Sequence, residues 1–248
     1  MSYKFAVENI NYQDYASGRV LFNQHGTTSF PVRLASEIFE RCKEIISEKG
    51  IDSNYIIYDP CCGGAYLLTA IGYLHGEYIN KIFASDVDES AILLAKKNLS
   101  LLSISGVEER IETINKMITD FGKSSHCEAL KSAYRLKSIL ESRSNIIETK
   151  CFISDATKNE DKLDELNNVN MVITDLPYGD IVSWSDMQKE NEATTKLLEN
   201  LLPKLAINSV VAIISRKKTS VKHDRYKRLE HFKIGKRQIN ILSPIFSS

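Results

Sequence analysis

The feature that most constrains this chain is an apolar segment that ends in an acid and runs directly into glycine. Residues 55–59 read Tyr-Ile-Ile-Tyr-Asp, and Pro-Cys-Cys-Gly-Gly follows at 60–64. The apolar residues predict a buried strand. The glycines predict a turn whose backbone passes close to a ligand, with a helix beginning near Tyr66. This order of strand, turn and helix is typical of an α/β fold.

The position of the acid indicates which ligand the turn holds. In dinucleotide-binding turns a pyrophosphate lies at the helix N-terminus, where negative charge is favoured. Here Asp59, Cys61 and Cys62 precede Gly63 and Gly64, and a carboxylate suits an ammonium or sulfonium group better than a phosphate. The turn therefore favours S-adenosylmethionine over NAD, although any α/β protein can contain the same glycine pair in an ordinary strand-turn-helix unit.

A second predicted strand ends in an acid at a distance typical of ribose recognition. Asp86 follows Asp59 by 27 residues, near the spacing of roughly 20 residues that places a carboxylate on ribose hydroxyls. We therefore assign Asp86, with its neighbour Val87, to the cofactor site. Asp88 is better explained as the N-cap of a helix from Glu89 to about Leu102, where a short acceptor side chain satisfies backbone N–H groups.

A third strand, Thr149 to Ser154, ends in Asp155 and Ala156. Here a carboxylate can accept from an adenine amino group while the next backbone N–H meets a ring nitrogen. One acid at a strand end is weak evidence, because such acids are common helix caps. Acids at four successive strand ends would converge on the crevice where open parallel sheets bind ligands; these acids are Asp59, Asp86, Asp155 and Asp175.

The fourth acid opens the sequence Asp175-Leu176-Pro177-Tyr178, which resembles the (Asp/Asn)-Pro-Pro-(Tyr/Phe) loop of methyltransferases acting on amino nitrogens of nucleobases. Such an amine is a poor nucleophile because its lone pair is delocalised into the ring. Asp175 and the Leu176 carbonyl would accept its hydrogen bonds and stabilise the developing positive charge. Tyr178 would stack on an unpaired base, a contact worth roughly 1–3 kcal/mol. The alternative is a proline turn with Tyr178 merely packed.

The charge distribution indicates a polyanionic partner, although the net charge of the chain is zero. The segment from Arg216 to Arg237 contains ten basic and two acidic residues, which predicts a phosphate-binding face. We assign Arg216, Lys217 and Lys218 to the substrate site together with Leu176 and Pro177. The alternative is a solvated helix surface.

Strands and helices alternate along the chain, which predicts a doubly wound α/β sheet in a single domain, residues 1–248. Residues 1–50 form an N-terminal arm and helix, and residues 106–146 an inserted helical hairpin. We expect a basic helix after the strand that ends near Ile214, and then an antiparallel hairpin around Gly235. A seven-stranded sheet with an antiparallel final strand is similar to the S-adenosylmethionine-dependent methyltransferase fold.

The remaining composition predicts a cytoplasmic enzyme. No apolar run approaches the ~20 residues of a membrane span, and the N-terminus lacks a secretory apolar region. The five cysteines show no paired metal spacing and are odd in number, so we expect free thiols, no metal site and no disulfide framework. A nucleophilic role for Cys61 or Cys62 is disfavoured because no linked base motif accompanies them. No segment indicates an obligate protein partner.

Four segments together resemble the avilamycin-resistance 23S rRNA methyltransferase family, the AviRa type. They are Asp59-Pro-Cys-Cys-Gly-Gly-Ala-Tyr-Leu-Leu-Thr69, Ala84-Ser-Asp-Val-Asp88, Asp175-Leu-Pro-Tyr-Gly179 and Phe232-Lys-Ile-Gly235. The similarity extends over nearly the whole chain. It implies methylation of a guanosine base in the peptidyl-transferase region of large-subunit rRNA, with S-adenosylmethionine as donor, and a link to resistance against an orthosomycin antibiotic.

Carried onto this chain, the resemblance assigns the methionine part of the cofactor to Asp59, Cys61, Cys62 and Gly63. It assigns the ribose to Asp86, the adenine to Asp155 and Ala156, and the guanine to Asp175 and Tyr178. One departure is visible: this chain reads Gly63-Gly64-Ala65 where the family pattern has Gly-Ser-Gly. Alanine fits there if its φ angle is negative.

The sequence therefore predicts a methyltransferase acting on a guanine nitrogen of 23S rRNA, with the large ribosomal subunit as its partner. The alternatives are a DNA or tRNA amino methyltransferase with the same loop, and a catalytically silent RNA-binding ribosome-assembly factor. The sequence does not distinguish a ring nitrogen from the exocyclic nitrogen.

Overall fold

A computed structural model of the protein describes residues 3–8, 10–24, 29–158, 165–177, 187–216 and 219–246. Six α-helices lie in these ranges: α1 Val32–Ser47, α2 Tyr66–His75, α3 Glu89–Ser100, α4 Ile104–Phe121, α5 Ser124–Glu141 and α6 Met187–Leu201. The strands are β1 Tyr55–Asp59, β2 Ile79–Asp86, β3 Glu148–Ile153, β4 Val169–Asp175, β5 Leu205–Arg216, β6 Tyr226–Ile234 and β7 Arg237–Pro244.

The strands form one sheet in the order β3-β2-β1-β4-β5-β7-β6. The first five of these are parallel, so their carboxyl ends share one edge. Strand β7 runs antiparallel to both β5 and β6, and its first residue, Arg237, pairs with Arg216 at the end of β5. The start of β7 therefore lies at the carboxyl edge. The predicted fold class is confirmed.

Successive residues of the central strands point to opposite faces of the sheet, as the pleat requires. Ile57 joins the larger core, which also contains the apolar faces of α1 to α5, whereas Tyr58 joins a smaller core with α6. Both faces are buried, which explains why β1 and β4 are mostly apolar rather than alternating. Among the described helices, none is both long and apolar enough to cross a membrane.

Two side chains bind the N-terminal arm to the inserted hairpin of α4 and α5. The buried Arg110 donates from Nε to the carbonyl of Val20 at 2.8 Å. Arg19 donates from Nε to Ser132 Oγ at 2.6 Å. The predicted extension and insertion are thus packed on each other, and the insertion also contacts α2 and α3. The division of the chain into a single domain stays a prediction.

One predicted element is wrong. No helix lies in the described residues between β5 and β6, residues 219–225, and β6 begins already at Tyr226. The basic residues at 227, 228 and 233 are exposed on β6, which forms the edge of the sheet. An edge strand is solvated along one side and commonly carries charge that prevents pairing with other chains. Its charged sequence therefore lacks the continuous apolar run that identifies the interior strands.

Candidate active site

The four predicted acids line one edge of the sheet. Asp59, Asp86 and Asp175 are the last residues of β1, β2 and β4, and Asp155 follows β3 by two residues. Because these strands are neighbours in the order β3-β2-β1-β4, the acids follow one another along the edge as Asp155, Asp86, Asp59 and Asp175. Asp59 and Asp175, which are 116 residues apart in the sequence, therefore lie on neighbouring strand ends.

The turn after β1 is held by two of these carboxylates. Asp59 Oδ1 accepts from the backbone N–H of Cys61 at 3.0 Å, and Asp86 Oδ2 accepts from that of Gly63 at 2.9 Å. The N–H of Cys62 donates to the carbonyl of Ser85 at 2.9 Å. Carboxylates therefore fix the backbone of this turn, which we call the donor turn, residues 59–65.

The condition under which an alanine fits easily at position 65, a negative φ angle, is not met. The φ of Ala65 is +56°, in the left-handed region, and the residue immediately precedes α2. Gly63 is also left-handed, with φ at +51°, and the N–H of Ala65 donates to the carbonyl of Cys62 at 2.8 Å. The tight donor turn requires this conformation, which costs an alanine roughly 1–2 kcal/mol. Gly64 lies under Leu94, whose Cδ2 would be 2.6 Å from an added Cβ.

The electrostatics of the donor turn favour a cationic ligand. Burial is the largest of the causes that raise the pKa of Asp59 to about 7, and the charges of Asp86 and Asp175 contribute to the same shift. Burial and the carboxylates of Asp59 and Asp86 raise the pKa of the thiols of Cys61 and Cys62 well above the ordinary range. Both cysteines are therefore protonated thiols, which disfavours the nucleophile hypothesis. A sulfonium or ammonium group would relieve the repulsion among the acids.

Asp86 and its neighbours form the next part of the edge. The Asp86 carboxylate is half-buried, and its Oδ1 accepts from the N–H of Asp88 at 3.0 Å. The Asp88 side chain accepts from the N–H of Ser90 at 2.8 Å and caps α3, as predicted. Val87 is 63% exposed, so an apolar side chain stands at the rim beside the predicted ribose-binding acid, where a flat ring can pack.

Asp155 and Ala156 lie over the smaller core. Burial alone would raise the pKa of Asp155, but hydrogen bonds from Thr157 and the nearby Lys158 outweigh it and lower the pKa. The Ala156 carbonyl accepts from Asn200 Nδ2 of α6 at 3.0 Å. A recess opens beside them between the sheet edge and α6; its lining includes Tyr58, Pro60, Ser154, Leu197 and Lys204.

The loop after β4 occupies the neighbouring strand end. Asp175 pairs with Ile214 of β5, and the N–H of the buried Leu176 donates to the Ile214 carbonyl at 2.9 Å. Pro177 is half-buried. Tyr178 lies outside the described residues, as do Lys217 and Lys218, and Arg216 is exposed at the end of β5. The donor turn and Asp175 therefore flank one point of the edge.

Two residues of the acceptor side were not predicted as site residues. Arg237 donates from Nη2 to Asp175 Oδ2 at 3.4 Å, and its guanidinium carbon lies 5.2 Å from the ring centroid of Phe30. The predicted topology contained a signal for Arg237, because a strand that runs antiparallel beside β5 begins where β5 ends. No local pattern marks Phe30.

Asn98 of α3 is a further unpredicted residue, and it connects the arm to the donor turn. This fully buried side chain accepts from the N–H of Phe22 at 2.8 Å and donates to the carbonyl of Gly64 at 2.8 Å. Tyr66 adds a hydrogen bond from its hydroxyl to the Phe22 carbonyl at 2.8 Å. The arm therefore supports the backbone that the ligand would contact.

Comparisons with known proteins agree with this geometry. A family model described as rRNA methyltransferase AviRa matches residues 1–237. A curated relative from Streptomyces viridochromogenes, named 23S rRNA (guanine(2535)-N(1))-methyltransferase, is 36% identical over 242 residues, covering 95% of this chain and 93% of the relative.

Solved structures give the same result. The rRNA methyltransferase aviRa from Streptomyces viridochromogenes, at 1.5 Å, superposes with a TM-score of 0.87 at 33% identity, covering 98% of this chain and 96% of that one. The N-terminal domain of human METTL16 has a TM-score of 0.54 at 13% identity, covering 92% and 75%, and shares the fold alone. The family match, the identity and the superposition all extend over nearly the whole chain, and the protein belongs to the AviRa family of rRNA methyltransferases.

Proposed function

We propose that the protein transfers a methyl group from S-adenosylmethionine to N1 of a guanine in 23S rRNA. The observation that carries this proposal is the adjacency of two strand ends. β1 and β4 are paired neighbours, so the donor turn after Asp59 and the acceptor acid Asp175 flank one site. The choice of N1 rests on the activity named for the Streptomyces viridochromogenes relative.

S-adenosylmethionine supplies a methyl carbon bonded to a cationic sulfur, and the residues of the edge fit its parts. The donor turn, with Asp59, Cys61, Cys62, Gly63 and Gly64, would hold the methionine portion, since buried carboxylates favour its ammonium and sulfonium groups. Asp86 would accept from the ribose hydroxyls with Val87 packed on the adenine, and Asp155 with the backbone of Ala156 would bind the adenine edge.

The acceptor side would orient the base. Asp175 accepts hydrogen bonds from the guanine Watson–Crick edge, and Tyr178 is the proposed stacking partner. That edge is exposed only when the nucleotide is unpaired or extruded from its helix. The rate then comes from holding N1 in line with the methyl carbon and from stabilising charge that develops during transfer.

The basic segment supports an rRNA substrate. Its described members lie on β5, β6 and β7, in the connection formed by residues 219–225 and in the turn between β6 and β7, and Arg216 and Lys236 are exposed near the carboxyl edge. Phosphate contacts would position the RNA without reading its sequence. Salt should weaken binding in proportion to the number of phosphates contacted. An rRNA substrate also implies a cytoplasmic location.

The test is methyl transfer from radiolabelled S-adenosylmethionine to separate samples of 23S rRNA, 50S particles, 16S rRNA, tRNA and duplex DNA. We expect label in 23S rRNA or 50S particles alone, and a stop of reverse transcription at the modified guanine because an N1-methyl group blocks base pairing. Mass spectrometry of the digested RNA would identify the methylated nitrogen.

The alternatives predict different distributions of label. Label in tRNA or DNA instead of 23S rRNA would replace the proposal with an amino methyltransferase for that substrate. Binding of donor and rRNA with no label in any nucleic acid would favour the assembly factor. Resistance has its own readout, the growth of a susceptible strain with and without the gene on an orthosomycin antibiotic.

A further inference from the structure

Arg237 contacts residues from two distant parts of the chain at the proposed acceptor site, Asp175 and Phe30. Its Nη2 lies 3.4 Å from Asp175 Oδ2, and the two side chains are 25% and 23% exposed. Its guanidinium also faces the ring of Phe30, from the N-terminal arm, at 5.2 Å. From the first position of β7 it crosses β5 to reach the end of β4. This placement separates it from the solvated lysines of the basic segment.

The pair places a hydrogen-bond donor beside an acceptor, at the strand end where the proposed function puts the base. On its Watson–Crick edge, guanine has the acceptor O6 beside the donor N1–H, which is the complementary order. Adenine has the donor N6–H₂ beside the acceptor N1, which is the opposite order. A site that requires such hydrogen bonds rejects the mismatched base, because its own polar groups would be left unpaired.

We propose that Arg237 is a positioning and specificity-determining residue for the methyl acceptor, which donates to O6 of the guanine while it orients Asp175 towards N1–H. This inference rests on the proposed function. In the reaction, the N1 proton passes to the Asp175 carboxylate. The N1 electron pair forms the bond to the methyl carbon, and the electron pair of the breaking carbon–sulfur bond stays on sulfur.

The charge that appears on the base explains why a cation is required here. Removal of the N1 proton leaves a negative charge shared between N1 and O6, and a preorganised donor at O6 stabilises it. Arginine suits this position better than lysine. Its planar fork can serve a carboxylate and a second acceptor together while it stacks on an aromatic ring.

The test compares Arg237→Gln and Arg237→Lys with the wild type in single-turnover methyl transfer to 23S rRNA, from pH 6 to pH 9. We expect Arg237→Gln to lower the rate about 10²-fold. The increase of the rate with pH should also shift to higher pH, since N1–H becomes harder to ionise. Arg237→Lys, which keeps the charge, should recover part of the rate. Donor affinity, measured by calorimetry, should stay within about threefold of wild type in both variants, because the donor turn is intact.

The matched control is Arg41→Gln. Arg41 also pairs with a carboxylate, Glu230 at 2.7 Å, and stacks on a ring, Phe232 at 4.1 Å, but it lies on α1 and outside the site. Its loss should lower stability without moving the pH profile. A second readout is RNA affinity after the mapped guanosine is replaced by adenosine. The wild type should discriminate between the two RNAs, and Arg237→Gln should bind them equally.

Three results would overturn the role of Arg237: a wild-type rate and pH profile in Arg237→Gln, a rate loss that is equal at every pH, or undiminished discrimination between guanosine and adenosine. These results differ from failure of the proposed function, which would show as absence of label in 23S rRNA with the wild-type protein.

Discussion

The donor and acceptor halves of the site are built in different ways. The donor turn is a run of seven residues, 59–65, fixed by backbone hydrogen bonds to strand-end acids. The acceptor side joins Asp175 to Arg237, 62 residues further along the chain, and to Phe30 of the N-terminal arm. The donor half therefore depends on local backbone geometry, and the acceptor half on side chains that only the folded sheet brings together.

This difference has a functional reason. A cofactor common to many enzymes can be held by a turn whose pattern recurs, whereas the acceptor must match one base in one RNA. Each half should consequently fail in its own way when it is altered. Donor-side changes should alter cofactor binding, and acceptor-side changes should alter the methyl-transfer step.

The largest effect is expected for Asp175→Asn. The amide keeps the size of the side chain but loses the charge that we propose accepts the N1 proton, and acid–base groups of this kind contribute about 10²- to 10⁴-fold to rates. Single-turnover rates should fall by that factor while calorimetric donor affinity is retained. Asp88→Asn, at the helix cap on the same edge, is the control and should keep its activity. Loss of donor binding in Asp175→Asn would contradict the separation of the two halves.

A smaller effect is expected for Asp86→Asn, and it should fall on donor affinity rather than on the methyl-transfer step. Hydrogen bonds to a charged group are worth about 1.5–3 kcal/mol, so donor affinity should fall roughly 10- to 100-fold. The rate at saturating donor should recover to near that of the wild type. Titration of the rate against donor concentration measures both quantities. A variant that stays slow at saturation would show that Asp86 also acts on the chemical step.

The raised pKa of Asp59 predicts a pH dependence of the donor half alone. A cationic donor favours the ionised acid, so with a pKa of about 7 donor affinity should rise about tenfold between pH 6 and pH 8. Asp59→Asn should remove this dependence, as measured by calorimetry. Affinity that is independent of pH in the wild type would contradict the assignment.

The same pKa sets the sign of a stability effect in the protein without donor. In the folded state the Asp59 carboxyl keeps its proton up to about pH 7, whereas in the unfolded state it loses the proton around its ordinary pKa of 3.8. Because the folded state then binds more protons, the free energy of unfolding should decrease as the pH rises from about 4 to about 7. Asp59→Asn lacks this contribution and is the comparison in urea unfolding.

The smallest effect is expected at the end of the donor turn. Ala65→Gly relieves a left-handed alanine, φ +56°, and the gain is partly offset by the greater entropy of glycine in the unfolded chain. The free energy of unfolding should rise by about 0.5–1 kcal/mol. Ala70→Gly, in the middle of α2, is the matched control and should lower it. An unchanged or lower stability in Ala65→Gly would show that the turn is not strained.

Local sequence patterns were sufficient for the sheet, the inserted hairpin and the four edge acids. Each depends on a short-range signal: an apolar strand, helical spacing or a strand-end carboxylate. Local patterns failed where the conformation of a segment depends on the elements that lie beside it in the fold. Three basic residues of the segment from Arg216 to Arg237 lie on β6, an edge strand with a charged sequence. Ala65 adopts the angle required by the turn rather than the angle its side chain prefers.

The sequence by itself determined the family, the fold class and the position of the donor turn, because a β-strand, a glycine turn and a helix are encoded within about 15 residues. Only the tertiary structure decided how the acceptor side is assembled. The contact between Arg237 and Asp175 depends on β7 lying antiparallel beside β5, and Phe30 joins them because the N-terminal arm returns to the same edge. Side chains that are distant in the chain are brought together by strand pairing and core packing, and no local pattern specifies such a contact.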